Sequence, residues 1–103
     1  MDCVQLIVSA ENVEQAHVIR EALLKKKVIL GGSVISGPAR FWWKGDIADM
    51  PHYSYLFAYT LQSKKEAVTM LVENSCTEEI PMLSFIPFEG NAALERLIHE
   101  TIQ

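Results

Sequence analysis

Phe41-Trp42-Trp43-Lys44-Gly45-Asp46-Ile47 places three bulky aromatic residues directly before a Gly-Asp pair. Aromatic side chains favour extended backbone and Gly-Asp favours a turn, so the stretch reads as the tip of a β-hairpin. Upstream, Val28 to Ser36 reads as a strand that contains Gly31-Gly32, is broken by Gly37-Pro38 and resumes over Arg40 to Lys44. Downstream, His52 to Gln62 is the clearest strand of the chain. Tyr53, Tyr55, Phe57 and Tyr59 alternate onto one face, and Ser54, Leu56, Ala58 and Thr60 onto the other.

A β-α unit flanks this hairpin on each side. Val4, Leu6 and Val8 alternate with Gln5, Ile7 and Ser9, which predicts a strand over about residues 3–10. Asn12 is the expected cap of the following helix, with Gln15 as its box partner, and Ala16, Ile19 and Leu23 share the inward stripe. Ser63-x-x-Glu66 predicts a second capped helix with Ala67, Val68 and Leu71 inward. A polar loop over residues 74–79 leads to a strand from Met82 to Phe88. Asn91 then caps a terminal helix with Leu94, Leu97 and Ile98 inward.

That order predicts one α+β domain over residues 1–103. The expected architecture is a ferredoxin-like sandwich with an antiparallel sheet, both main helices on one face and an extra C-terminal helix. The strands are apolar or aromatic on both sides: Ile7 opposes Val8, and Tyr55 and Phe57 oppose Leu56. A sheet face of that kind left in water makes an unusually large apolar patch, so the chain is expected to be an obligate oligomer.

Composition narrows the function classes. The net charge is -4, and the one basic run, Lys25-Lys26-Lys27, sits where it complements a helix C-terminus. Nucleic acid is therefore not an expected partner. No apolar run approaches the roughly 20 residues that cross a bilayer, so no membrane span is expected. Cys3 and Cys76 form neither a CxxC pair nor a disulfide framework. With no basic leader at the N-terminus, the expected compartment is the cytosol. There is no nucleophile elbow, Cys-His spacing or P-loop, and an enzyme is not expected.

Phe41-Trp42-Trp43-Lys44-Gly45-Asp46-Ile47, then Glu79-x-Pro81, the strand ending at Pro87, and Gly90-Asn91 resemble, in order and spacing, the signatures of the CutA family of divalent-cation tolerance proteins. The likeness spans roughly residues 3–102. It implies a ferredoxin-like subunit in a tight homotrimer, non-enzymatic and linked to divalent metal ion tolerance. It also implies copper binding through groups that differ here. Val8-Ser9 replaces a cysteine near the end of the first strand, and Cys76-Thr77-Glu78 replaces a His-Pro-Tyr segment. Tyr59 stands for a lysine, Met82 for a glutamate, and Gly31-Gly32 for a small stretch often containing cysteine. The alternative expectation is a trimeric scaffold, or a signalling protein like the PII regulators, that has lost the cation site. It would bind a small ligand or a protein at inter-subunit clefts.

The candidate metal residues are Cys76, Glu78 and Glu79, a thiolate and two carboxylates within four positions. Such donors suit copper or zinc, with His52 as a ligand from elsewhere. His17 and His99 have no i+4 ligand partner and read as surface residues. Phe41, Trp42, Trp43, Tyr55, Phe57, Tyr59 and Met82 are the candidate interface or cleft residues. Adjacent Trp42 and Trp43 point opposite ways along a strand, which suits either a subunit contact or a platform for a small planar molecule. Arg40 and Lys44 are near enough to attract an anion.

Overall fold

The computed structural model describes residues 2–102. Strand β1 (Cys3–Ala10) leads to helix α1 (Val13–Lys25), and strands β2 (Gly31–Trp43) and β3 (Asp46–Leu61) form a long hairpin. A 3-10 turn over Gln62–Lys64 opens helix α2 (Lys65–Ser75), followed by β4 (Leu83–Pro87) and helix α3 (Ala92–Thr101). All pairings are antiparallel, in the order β2-β3-β1-β4. This is the expected ferredoxin-like sandwich.

Alternation distributes the core. Leu6, Val8, Leu56 and Ala58 point from the sheet onto Ala16, Ile19 and Leu23 of α1 and Val68 and Val72 of α2. Thr60 lies on the same face, and its hydroxyl donates to the Val28 carbonyl at 2.6 Å. That bond satisfies a polar group that burial would otherwise penalise. The other face carries Ile7, Ile35, Tyr55, Phe57, Tyr59 and Ile86, all half-buried or exposed. Helix α3 covers one end of this second face. Its Ile98, with Ile102, packs on Cys3 and Leu61 beside Tyr59 and Phe88. Leu97 is exposed rather than inward, because it lies about 100° round the helix from Ile98, which with Leu94 takes the inward face.

Three local expectations are corrected. Strand β2 begins at Gly31, and Val28–Leu30 form the connection into it. Gly37-Pro38 does not break the strand. Between Gly37 and Ala39 the register slips, so that Pro38 faces both Pro51 and His52. A bulge absorbs two prolines that have no N–H for the ladder, and β3 runs on from Asp46 instead of starting at His52. Ser63 makes no cap: it lies in the 3-10 turn, and α2 has no side-chain cap. Asn12 and Asn91 do cap, accepting from Gln15 N at 2.8 Å and Leu94 N at 2.9 Å. The Gln15 side chain, expected to complete a box, is used elsewhere.

The hairpin tip turns on Lys44-Gly45, one residue earlier than expected, with φ of 52° and 83°. Positive φ at both central residues is the requirement of a type I′ turn, whose twist matches the strands. At Gly32, a Cβ would run into the Phe57 carbonyl oxygen and lie 2.9 Å from the Ala58 Cβ, so only glycine fits this crossing.

Helix α1 ends with Lys27 N–H bonded to Leu24 O at 3.0 Å and Val28 N–H to Leu23 O at 3.3 Å. This double closure normally uses glycine at the left-handed position, yet Lys27 holds φ 55° there. A non-glycine residue in that conformation costs about 1–2 kcal/mol, against about 0.3–1 kcal/mol gained by a cation at a helix C-terminus. Lys27→Gly is expected to raise the urea unfolding free energy per chain by about 0.5–1 kcal/mol. An unchanged or lowered midpoint would show that the lysine charge outweighs the strain.

Candidate functional site

Beyond Ser54, strand β3 pairs with β2 alone, because β1 ends at Ala10. The outer hairpin therefore projects as an arm, and the molecule measures 44 × 24 × 20 Å. The connection from α2 to β4, residues 76–82, lies beside this arm. The space between them is a cleft of about 290 Å³.

Polar tethers set the loop wall. Gln15 donates through Nε2 to the Ser75 carbonyl at 3.3 Å and accepts through Oε1 from Thr77 N at 2.9 Å. The Thr77 hydroxyl donates to Glu11 at 2.7 Å. At the far end Ser9 N–H donates to the Met82 carbonyl at 2.9 Å. The arm wall is aromatic. Phe41 and Tyr53 meet edge to face at 5.4 Å, and Tyr53 meets Tyr55 at 5.5 Å.

The candidate residues separate into three places. Phe41, Trp42, Trp43, Glu78, Glu79 and Met82 all line this one cleft. Trp42 is 76% exposed and Trp43 38%. Tyr55, Phe57 and Tyr59 lie on the second sheet face, where Phe57 and Tyr59 border a hollow of about 350 Å³ above Gly31-Gly32. Cys76 stands apart, its sulfur accepting from Glu78 N at 3.4 Å. Glu79 pairs with Lys44 across the cleft mouth at 3.1 Å. Arg40 pairs with Asp49 at 2.9 Å. With both cations of the arm engaged by carboxylates, neither offers a free anion site, which corrects that expectation.

Glu78 is the unusual group. Its Oε2 accepts from the Tyr53 hydroxyl at 3.1 Å, while Oε1 is buried and has no hydrogen-bond partner. Burial pushes its pKa above the ordinary carboxylate value; the Tyr53 bond opposes this and the nearby Glu11 charge adds to it. Burial, together with Glu78, also raises the Tyr53 hydroxyl well above its usual value.

Sequence spacing did not reveal Glu11, Met50, Tyr53 or Thr77 as lining residues. Nor did it reveal a second cluster. Among the described residues, Asp2, Cys3 and His99 bring a carboxylate oxygen, a thiol and an imidazole nitrogen within 4.8 Å of one another. His99 Nε2 lies 2.9 Å from Asp2 Oδ1. Cys3 is buried, and burial, followed by the Glu95 and Asp2 charges, raises its thiol pKa. Cys76, Glu78 and Glu79 are not drawn together in this way. The partners of the first cluster are nearly a hundred positions apart, and only the docking of α3 against the start of β1 joins them.

An antiparallel sheet in the order β2-β3-β1-β4, with two helices on one face, a projecting hairpin arm and a third helix over one sheet end, makes this a small α+β protein of the ferredoxin-like class. The family model described as CutA1 divalent ion tolerance protein matches residues 4–101, and the chain belongs to that family. The fold matches the structure of the periplasmic divalent cation tolerance protein CutA from Archaeoglobus fulgidus at TM-score 0.92, with 24% identity over 98% of this chain and 99% of the other. CutA from Xylella fastidiosa matches at 0.92, with 14% identity over 100% of both chains. CutA1 from Oryza sativa matches at 0.90, with 16% identity over 100% of this chain and 95% of the other. No curated protein sequence matches at a significant level. Among the described residues, no helix is long and apolar enough to cross a membrane.

The Glu78 geometry has a pH consequence. A carboxyl that holds its proton more tightly when folded lowers stability as pH rises from the ordinary value near 4.5 into the raised range. Denaturant titrations across that range should show the native protein losing stability relative to Glu78→Gln as pH increases. A constant difference between the two would remove the burial account.

Proposed function

We propose that this chain is a non-enzymatic, self-assembling binding protein acting in divalent ion tolerance, built as a homotrimer. The observation that carries the assembly is the second sheet face. Ile7, Ile35, Tyr55, Phe57, Tyr59 and Ile86 form an apolar surface that α3 covers only at one end. Copies of the same chain are the occupant that shares this surface chemistry. The arm adds a direction. An arm that reaches one neighbour while a different surface receives another makes a heterologous contact, and such contacts form a ring when the rotation between copies closes. The number three comes from the family likeness.

The ion is cargo in this reading, and the donor set that fits it best is Asp2, Cys3 and His99. Thiolate, imidazole and carboxylate suit zinc or copper, and three protein ligands leave a fourth position for water or exchange. Free Cys3 and Cys76 suit a reducing compartment, and we place the protein in the cytosol. The cleft favours a second reading, a trimeric scaffold or PII-like signalling protein that binds a small organic ligand between the arm and the 76–82 loop.

Light scattering after gel filtration is expected to give about three times the 11.6 kDa chain mass. Phe57→Lys, which sets a charge on the open face, should reduce that mass or abolish soluble assembly. A native protein running as one chain would sink the homotrimer.

Titration with zinc and with copper is expected to give saturable binding that Cys3→Ser or His99→Gln weakens by about tenfold or more, since even outer-shell partners contribute 10–100-fold. Cys76→Ser should leave it unchanged. Loss confined to Cys76→Ser would move the ion to the 76–79 loop, and no binding at all would discard the cation reading.

A further inference from the structure

The geometry points to a specific ligand class for the cleft: a small organic ammonium ion, held by the aromatic walls of the arm and the carboxylates of the 76–82 loop. This inference rests on the small-ligand reading of the cleft and is independent of the metal cluster at Asp2, Cys3 and His99.

Three observations carry it. The first is the lining. Phe41, Trp42, Trp43 and Tyr53 present rings, and Glu78 and Glu79 present carboxylates, around about 290 Å³. Ring faces are negative, and so are carboxylates, while Met50, Thr77, Ile80 and Met82 are neutral, so the charged and aromatic lining favours a cation and opposes an anion. The volume lies at the small end of ligand pockets.

The second is the unmet acceptor. Glu78 Oε1 is buried with no donor, although Oε2 is bonded to Tyr53. A buried, unpaired carboxylate oxygen is costly, and an arriving cation offsets that cost by its charge.

The third is that the protein's own ammonium already makes this contact. Lys44 Nζ lies 5.5 Å from the Trp43 ring centroid and 3.1 Å from Glu79 Oε2. The left-handed turn at Lys44-Gly45 places this side chain at the mouth of the cleft. A ring and a carboxylate thus jointly hold a primary ammonium at the rim, and the interior repeats the pair with Tyr53 and Glu78.

A bare divalent ion is a poorer fit. Such ions want several oxygen, nitrogen or sulfur ligands converging on one point. Here Glu79 is engaged by Lys44, Glu78 by Tyr53 and Glu11 by Thr77, and the rest of the lining is rings and neutral side chains. An alkylated, quaternary ammonium is weakly hydrated, exchanges water for ring faces at little cost and needs only one or two carboxylates.

The test uses the native assembly and two probes of matched shape, choline and its neutral isostere 3,3-dimethylbutanol, at constant ionic strength. Tryptophan fluorescence and calorimetry report binding. Saturable choline binding is expected, with the isostere weaker by about tenfold or more, the scale of a desolvated cation–ring contact. Glu78→Gln should weaken choline several-fold without changing isostere binding. Lys44→Met, an exposed substitution that frees Trp43 and Glu79, should tighten choline.

Equal binding of the two probes would overturn the cationic class while leaving a small-ligand cleft. Binding of neither probe would overturn both the class and the ligand reading of the cleft. Choline affinity unmoved by both Glu78→Gln and Lys44→Met would place its site outside the cleft and overturn the inference. Circular dichroism of each variant separates a lost site from a lost fold.

Discussion

The alternation of side chains along β3 is the constraint on which this structure depends. The strand pairs with β2 along its length and with β1 over Ser54–Leu61, so it is the spine of the sheet. Leu56, Ala58 and Thr60 go to the helices, and Tyr55, Phe57 and Tyr59 necessarily go to the other side. A one-residue slip would send every ring into the helix layer. The same strand therefore builds the core and creates the apolar face on the other side of the sheet. Its outer half, freed from β1, supplies the arm and one wall of the cleft.

The cleft's character follows from how charge is distributed around that arm. Arg40 is neutralised by Asp49 and Lys44 by Glu79, while Glu11 and Glu78 remain on the loop side. The loop is not free to move these carboxylates away. Gln15 holds it from α1 through two hydrogen bonds, and Thr77 is tied to Glu11. Side-chain amides and hydroxyls here do what a longer strand would do elsewhere, fixing residues 76–82 without a ladder. The result is an acidic recess walled in part by rings.

Much of the fold was legible in advance because it rests on periodicity. Strand β1 lies where alternation predicted it, α1 and α3 start at their asparagine caps, and the element order alone implies the topology. What was misread is instructive. Gly37-Pro38 looked like a strand end, but a second proline at Pro51 lets one bulge accommodate both. Ser63-x-x-Glu66 looked like a capping box, but a 3-10 turn takes that place. Gln15 looked like a box partner, but a carbonyl and an N–H sixty positions away claimed its amide.

The sequence by itself determined which segments are strands and helices, which residues alternate inward, that both sheet faces are apolar, and that aromatic residues crowd the hairpin tip. These are local properties, carried by spacing and by backbone preference. Tertiary structure alone decided that Glu78 shares a cleft with Trp43 and Tyr53 and that Cys76 does not. It also decided that Cys3 meets His99, and that Leu97 is left exposed. Those meetings depend on where a loop is tethered and how one helix docks, and neither leaves a period in the chain.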